Sequence, residues 1–148
     1  MANEWAVLEL YGPNSDGGKR RVTIADGVSI SVGAALQMLD PRTASYSHLA
    51  KVPIIGIAAD EKTPNSGVTE ISVFTDGLFD VVASGAITLG QPVVLSLQDN
   101  KVQAIQVTDF NSSATNAALL NNLTVSGQMR SYETGSDAEV IAIRLGPL

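Results

Sequence analysis

Cysteine is absent, histidine occurs once, and charged residues make up only 16% of the 148-residue chain. Without cysteine there is no disulfide framework and no thiolate metal site. That absence suits a reducing compartment of origin. A structural zinc site needs about four N or S ligands, which His48 alone does not supply. Aromatic residues are 5%, with one Trp, three Tyr and three Phe, too few to line a sugar cleft generously. No apolar run nears the ~20 residues of a spanning helix. The longest, Val52 to Ala59, contains Pro53 and Gly56. The start, Met1 to Trp5, lacks a basic segment followed by an apolar one, so no secretory signal is expected there. The formal net charge of −6 argues against wrapping a phosphate backbone. The one basic cluster, Lys19-Arg20-Arg21, follows the turn-like segment Asn14 to Gly18. It reads as a solvated loop flank, with a docking patch for an acidic partner as the other reading.

What remains is 45% hydrophobic residue under a cover rich in Ser, Thr, Asn, Gln and Gly. One domain, long enough to bury a real core without staples, is expected. The pattern is one of strands. Trp5 to Leu10 and Arg21 to Ile24 are extended runs, and Val28 to Val32 alternates with period two behind Asp26-Gly27. Val52 to Ala59 reads as a strand covered on both faces. Glu70 to Thr75 and Leu78 to Val82 flank Asp76-Gly77, the strongest short-range hairpin signal, with Ile71 and Val73 on one face and Ser72 and Phe74 on the other. Pro92 to Leu97 and Lys101 to Val107 flank Asp99-Asn100, and Leu123 to Ser126 and Ala138 to Leu145 close the chain. Helix candidates are Ser113 to Asn121, capped by Ser112 or Ser113, and Gly33 to Leu39, which reads equally well as a strand. Asp40 to Lys51 and Asp60 to Gly67 read as loops. The expected fold is mainly β: a compact β-barrel or β-tulip/sandwich with one or two short helices. Residues 1–20 are expected to form an N-terminal strand or arm, and 21–148 a single β-rich domain.

No catalytic constellation emerges. His48 sits in a polar loop with no nucleophile elbow nearby, and it reads as an ordinary surface residue. Asp60-Glu61, Asp76 with Asp80, and Asp137 with Glu139 are the local acid groups. Neighbours on a strand point to opposite faces, and turn Asp is chosen for its backbone bonding. The span Gly85 to Gly90 has P-loop spacing, but Gln91-Pro92 stand where Lys-Ser/Thr is required, so both glycines read as turn residues. The glycosylation patterns at Asn111 and Asn122 read as chance. No calcium loop appears. No enzyme activity, metal or cofactor is expected.

Three stretches carry a likeness: Ile55-Gly56-Ile57-Ala58, then Val73 to Phe79, then Ala86 to Val93. Val125 to Gly127 and Val140 to Leu145 follow as closing strands. Together they resemble the decoration, or cement, proteins of tailed-phage capsids, with a β-barrel or β-tulip core. The resemblance implies a homotrimer made in the host cytoplasm and carried on the outer surface of the virion. It would bind the major capsid protein at local or quasi-threefold sites after the shell expands, and stabilise the shell. It implies no nucleic-acid or membrane partner, no cofactor and no catalytic residue.

A clamp needs buried area on its neighbours, and strand edges invite pairing. Trp5, Val7, Leu8, Leu10 and Tyr11 are therefore the candidate protein interface, able to add as a strand to a partner's sheet. The other reading makes Trp5 and Leu8 ordinary core. On the interface reading, removing residues 1–11 weakens docking more than folding. The alternative function is a ligand-binding β-module for carbohydrate or adhesion, with Trp5, Tyr11, Tyr46, Phe74, Phe79, Phe110 and Tyr132 as the available rings. A carboxylate hydrolase is the third.

Overall fold

The computed structural model of the chain describes residues 3–12, 14–40, 42–46, 53–97, 100–105 and 128–146. The candidate helix at 113–121, the strand at 123–126, His48 and both glycosylation patterns lie outside the described residues. The described part is all β, with eleven strands. These are β1 (Ala6–Leu10), β2 (Arg20–Thr23), β3 (Ala35–Asp40), β4 (Thr43–Ser45), β5 (Ile54–Ala58) and β6 (Glu70–Phe74), then β7 (Gly77–Val82), β8 (Val93–Leu95), β9 (Val102–Ala104), β10 (Met129–Ser131) and β11 (Val140–Leu145). The mainly β expectation holds, and the fold contains a closed barrel in the order β2-β4-β3-β5-β6. A four-stranded sheet, β1-β7-β11-β10, and a β8-β9 hairpin stand beside it.

The sheet and hairpin join into a second ring of pairing. Ser131 of β10 exchanges backbone bonds with Gly90 and Gln91 just before β8 (2.8 and 2.9 Å). Val102 of β9 bridges Ala83, the residue after β7. The ring encloses Phe79, Val81, Ile87, Val93, Leu95, Val102, Ile141 and Ile143 of the larger core. The barrel encloses Val22, Ile24, Leu36, Ile71 and Val73.

Strand β5 is the wall between the two cores, which is why the apolar run at 54–58 is buried throughout. Ile54 and Ile57 join the larger core, while Ile55 and Ala58 join the barrel core. A strict period of two would not put Ile54 and Ile57 on one side. The register against β3 shifts between Leu36 and Gln37, and such a bulge inverts the phase of the strand. Gly56 is required there because a Cβ would lie 2.6 Å from the Phe74 carbonyl oxygen.

Of the two readings of 33–39, the strand holds: β3 residues pair with both β4 and β5, and this pairing overrides the helix propensity of Ala-Leu-Gln-Met-Leu. Three local expectations are corrected. The loop expected at 40–51 contains β4, which pairs with β3 and β2. The strand expected at 28–32 is reduced to one bridge, Ile30 to Lys62. Lys62 takes the place of a partner strand: its buried Nζ donates to the carbonyls of Asp26 and Val28 (3.0 Å to the latter). The Asp76-Gly77 hairpin does not form. Strand β6 pairs with β2 and β5, whereas β7 pairs with β1 and β11, and neither Asp76 nor Gly77 has positive φ. Gly77 serves close approach instead, since a Cβ would stand 2.9 Å from the Glu9 carbonyl oxygen. The glycines at 85 and 90 behave as expected, with φ of 87° and 82°.

Candidate functional site

Among the described residues no three His, Cys, Asp or Glu side chains come together as a metal site. The acidic side chains instead lock loops. Asp60 accepts from the Ser72 amide (2.8 Å), Asp137 from Gly85 (2.8 Å) and Asp26 from Gly67 (2.9 Å). Glu139 accepts from Ser136 (2.8 Å), and Asp40 accepts from both Arg42 and Thr43 (2.9 Å each). The Arg42 amide foremost, with Thr43 behind it, holds the Asp40 carboxyl below its usual range. A carboxylate used this way has its oxygens committed to structure.

One cleft of about 270 Å³ opens between the barrel and the sheet, lined by Arg20, Ile54, Thr75, Gln128, Leu145 and Gly146. Its described lining holds no carboxylate and no histidine. The Gln128 amide bridges it like a strand residue, accepting from the Ile54 amide (3.1 Å) and donating to the Ile54 carbonyl (3.2 Å).

The five N-terminal candidates fall into four environments. Trp5 is core, only 4% exposed. Its ring packs on Phe79 at 5.9 Å, and its Nε1 donates to the Asn100 carbonyl at 2.7 Å. It is therefore not a surface contact. Leu10 is half-buried against the larger core. Tyr11 lies under the Arg144 guanidinium, 4.2 Å from its ring, and donates to Glu9 at 3.1 Å. Loss of hydration first, then the Glu9 bond, raises the Tyr11 hydroxyl pKa. Arg144 also pairs with Asp76 at 2.8 Å. Val7 and Leu8 remain in the open, 45% and 49% exposed.

Their backbone is open too. Strand β1 is the edge of its sheet, pairing with β7 on one side and with no described strand on the other. The opposite edge, β10, is covered by the 90–92 segment. The bulge between Val7 and Glu9 twists β1, and no described strand takes its outer row of amides and carbonyls, the kind of edge that invites pairing. The site is thus a short strand edge with no described partner strand, held by Trp5 at one end and by the Tyr11–Arg144–Asp76 cluster at the other. The residues of that cluster were not legible as a group, because Arg144 and Asp76 meet only through the β7-β11 pairing. No family model matches the chain, and no curated protein matches it.

Proposed function

We propose that this chain is a capsid decoration protein, which binds the major capsid protein on the outer surface of an expanded icosahedral shell. It acts as a homotrimer at threefold or quasi-threefold sites and stabilises the shell. The observation that carries the reading is the open β1 edge, where Val7 and Leu8 are half exposed on a strand fixed at both ends. A preorganised edge docks a partner strand at little ordering cost. The resemblance of the 55–93 region to the decoration family supplies the partner.

The alternative, a sugar-binding module, needs exposed rings. Trp5 and Phe79 are buried, and Tyr11 is engaged by Arg144. Tyr132, 49% exposed, is the one large exposed ring among the described residues. That distribution favours a surface that packs over one that stacks on saccharides.

The test is stabilisation of emptied, expanded capsids followed by thermal shell disruption. Wild-type protein is expected to raise the disruption temperature, and Leu8→Lys is expected to lose that effect while remaining folded. No shift with folded wild-type protein would overturn the reading.

A further inference from the structure

A turn separates β1 from the rest of the molecule. The chain folds back between Tyr11 and Gly17, where the Gly17 amide donates to the Tyr11 carbonyl at 2.8 Å. Beyond that point it is pinned. The Gly17 carbonyl accepts from the Thr75 and Asp76 amides (2.8 and 3.0 Å), and the Thr75 hydroxyl donates to the Gly18 carbonyl at 2.7 Å. Inside the turn Ser15 holds φ of 53°, a left-handed conformation that strains a residue with a side chain.

On the near side of the turn, β1 behaves as a plug. It pairs with β7 along its length. Its Trp5 ring packs on Phe79, the Trp5 amide donates to the Gly33 carbonyl at 2.8 Å, and the indole donates to Asn100. Tyr11 closes the far end beneath Arg144. None of these partners lies in the turn, so the groove that receives β1 is complete without it.

We propose that β1 is exchanged between copies of this chain. The strand of one copy opens out at its turn and fills the groove along β7 of the next copy, head to tail, until the ring closes. Each contact of β1 is remade with the next copy. What is given up is the bond between Gly17 and Tyr11, and the strain at Ser15 goes with it. Exchange of an identical element is a low-cost route to oligomers, and a short strained hinge invites it. Six Cα steps from Tyr11 to Gly17 span about 20 Å when extended, which is the reach available to a neighbouring groove. A ring of three rests on the trimer proposed above. Such a ring comes apart only as fast as Trp5 leaves the core, which makes a lasting clamp, and Val7 and Leu8 stay on an edge throughout.

The chain has no cysteine of its own, so introduced pairs report the exchange cleanly. Ala6 faces Asp80 across β1 and β7, and Glu9 faces Leu78. The full chain carrying Ala6→Cys with Asp80→Cys is oxidised and run on a non-reducing denaturing gel. Circular dichroism checks its folding, and Glu9→Cys with Leu78→Cys repeats the test should the first pair not fold. Covalent trimers are expected. Ser15→Gly, which relaxes the turn, is expected to lower the exchanged fraction roughly threefold. Deleting Asn14 and Ser15, which leaves too little chain to fold back, is expected to drive exchange to completion. Disulfides confined within single chains, in both the parent and the shortened protein, would overturn the proposal. If sedimentation then still gives a trimer, the shell reading stands without the exchange. Covalent dimers alone would overturn the head-to-tail ring. Covalent trimers that do not bind expanded shells would uphold the exchange and count against the shell reading.

Discussion

Trp5 and Asn100 lie 95 residues apart in sequence and are joined by a 2.7 Å bond from the indole Nε1 to the Asn100 carbonyl. The Asn100 side chain continues the link by accepting from the Ala35 amide at 3.0 Å. The start of β1, the β8-β9 turn and the start of β3 are thereby tied at one point. Asn100 adopts φ of 56° there, a conformation Asn tolerates better than most residues.

Trp5→Ala is expected to cost about 3–5 kcal/mol through loss of ring packing. Trp5→Phe is expected to cost about 1–3 kcal/mol, since the buried Asn100 carbonyl loses its donor. Urea unfolding followed by circular dichroism measures both. Removal of residues 1–11 takes Trp5 with it, so it is expected to impair folding as well as docking. A point change at Leu8 separates the two.

Leu8→Lys is expected to change unfolding free energy by no more than about 0.5 kcal/mol, as at other surface positions. A similarly small effect is expected from Val7→Lys. If either unfolds the protein, β1 is not the exposed edge described above.

Arg144 and Asp76 are mostly buried and paired at 2.8 Å. A double-mutant cycle with Arg144→Met and Asp76→Asn is expected to give a coupling of about 1–3 kcal/mol. Arg144→Met is also expected to change the Tyr11 hydroxyl titration, because the guanidinium covers that ring; ultraviolet titration at alkaline pH reads it. A coupling near zero would remove the cluster as the anchor of the β1 end.

Lys62 has a fully buried side chain that satisfies two carbonyls of the 26–28 turn. Lys62→Met is expected to cost about 1–3 kcal/mol for the unpaired carbonyls. Amide exchange at Gly67 and Ile30 is expected to quicken, since both are held in the same loop pair.

Asp40 has its pKa lowered from the ordinary 3.8 by the Arg42 amide first, then by the Thr43 hydroxyl and amide. A depressed folded pKa means that its stabilising effect is present above pH 3.8 and is lost as pH falls through the lower folded value. Asp40→Asn is therefore expected to flatten that portion of the acid unfolding curve. Carboxyl NMR titration checks the direction.

The strands at 6–10, 54–58, 70–74 and 140–145 were readable because apolar spacing alone specifies them. The pairing of β6 and β7 was not. Asp76-Gly77 has the composition of a tight turn, but the carboxylate is taken by Arg144 and the glycine makes room for Glu9, and both partners are remote in sequence. The two-sided burial of β5 was legible, whereas the bulge that divides it between two cores depends on its register against β3. At the candidate edge, composition picked out residues 5–11 together. Only pairing with β7 separates buried Trp5 from exposed Leu8.

The most direct measurement is co-sedimentation of the purified protein with expanded, undecorated capsids from its source, with unexpanded shells as control. Saturable binding to expanded shells alone, at a stoichiometry matching threefold sites and lost with Leu8→Lys, is the expected result. No binding to either shell by folded protein would contradict the decoration role.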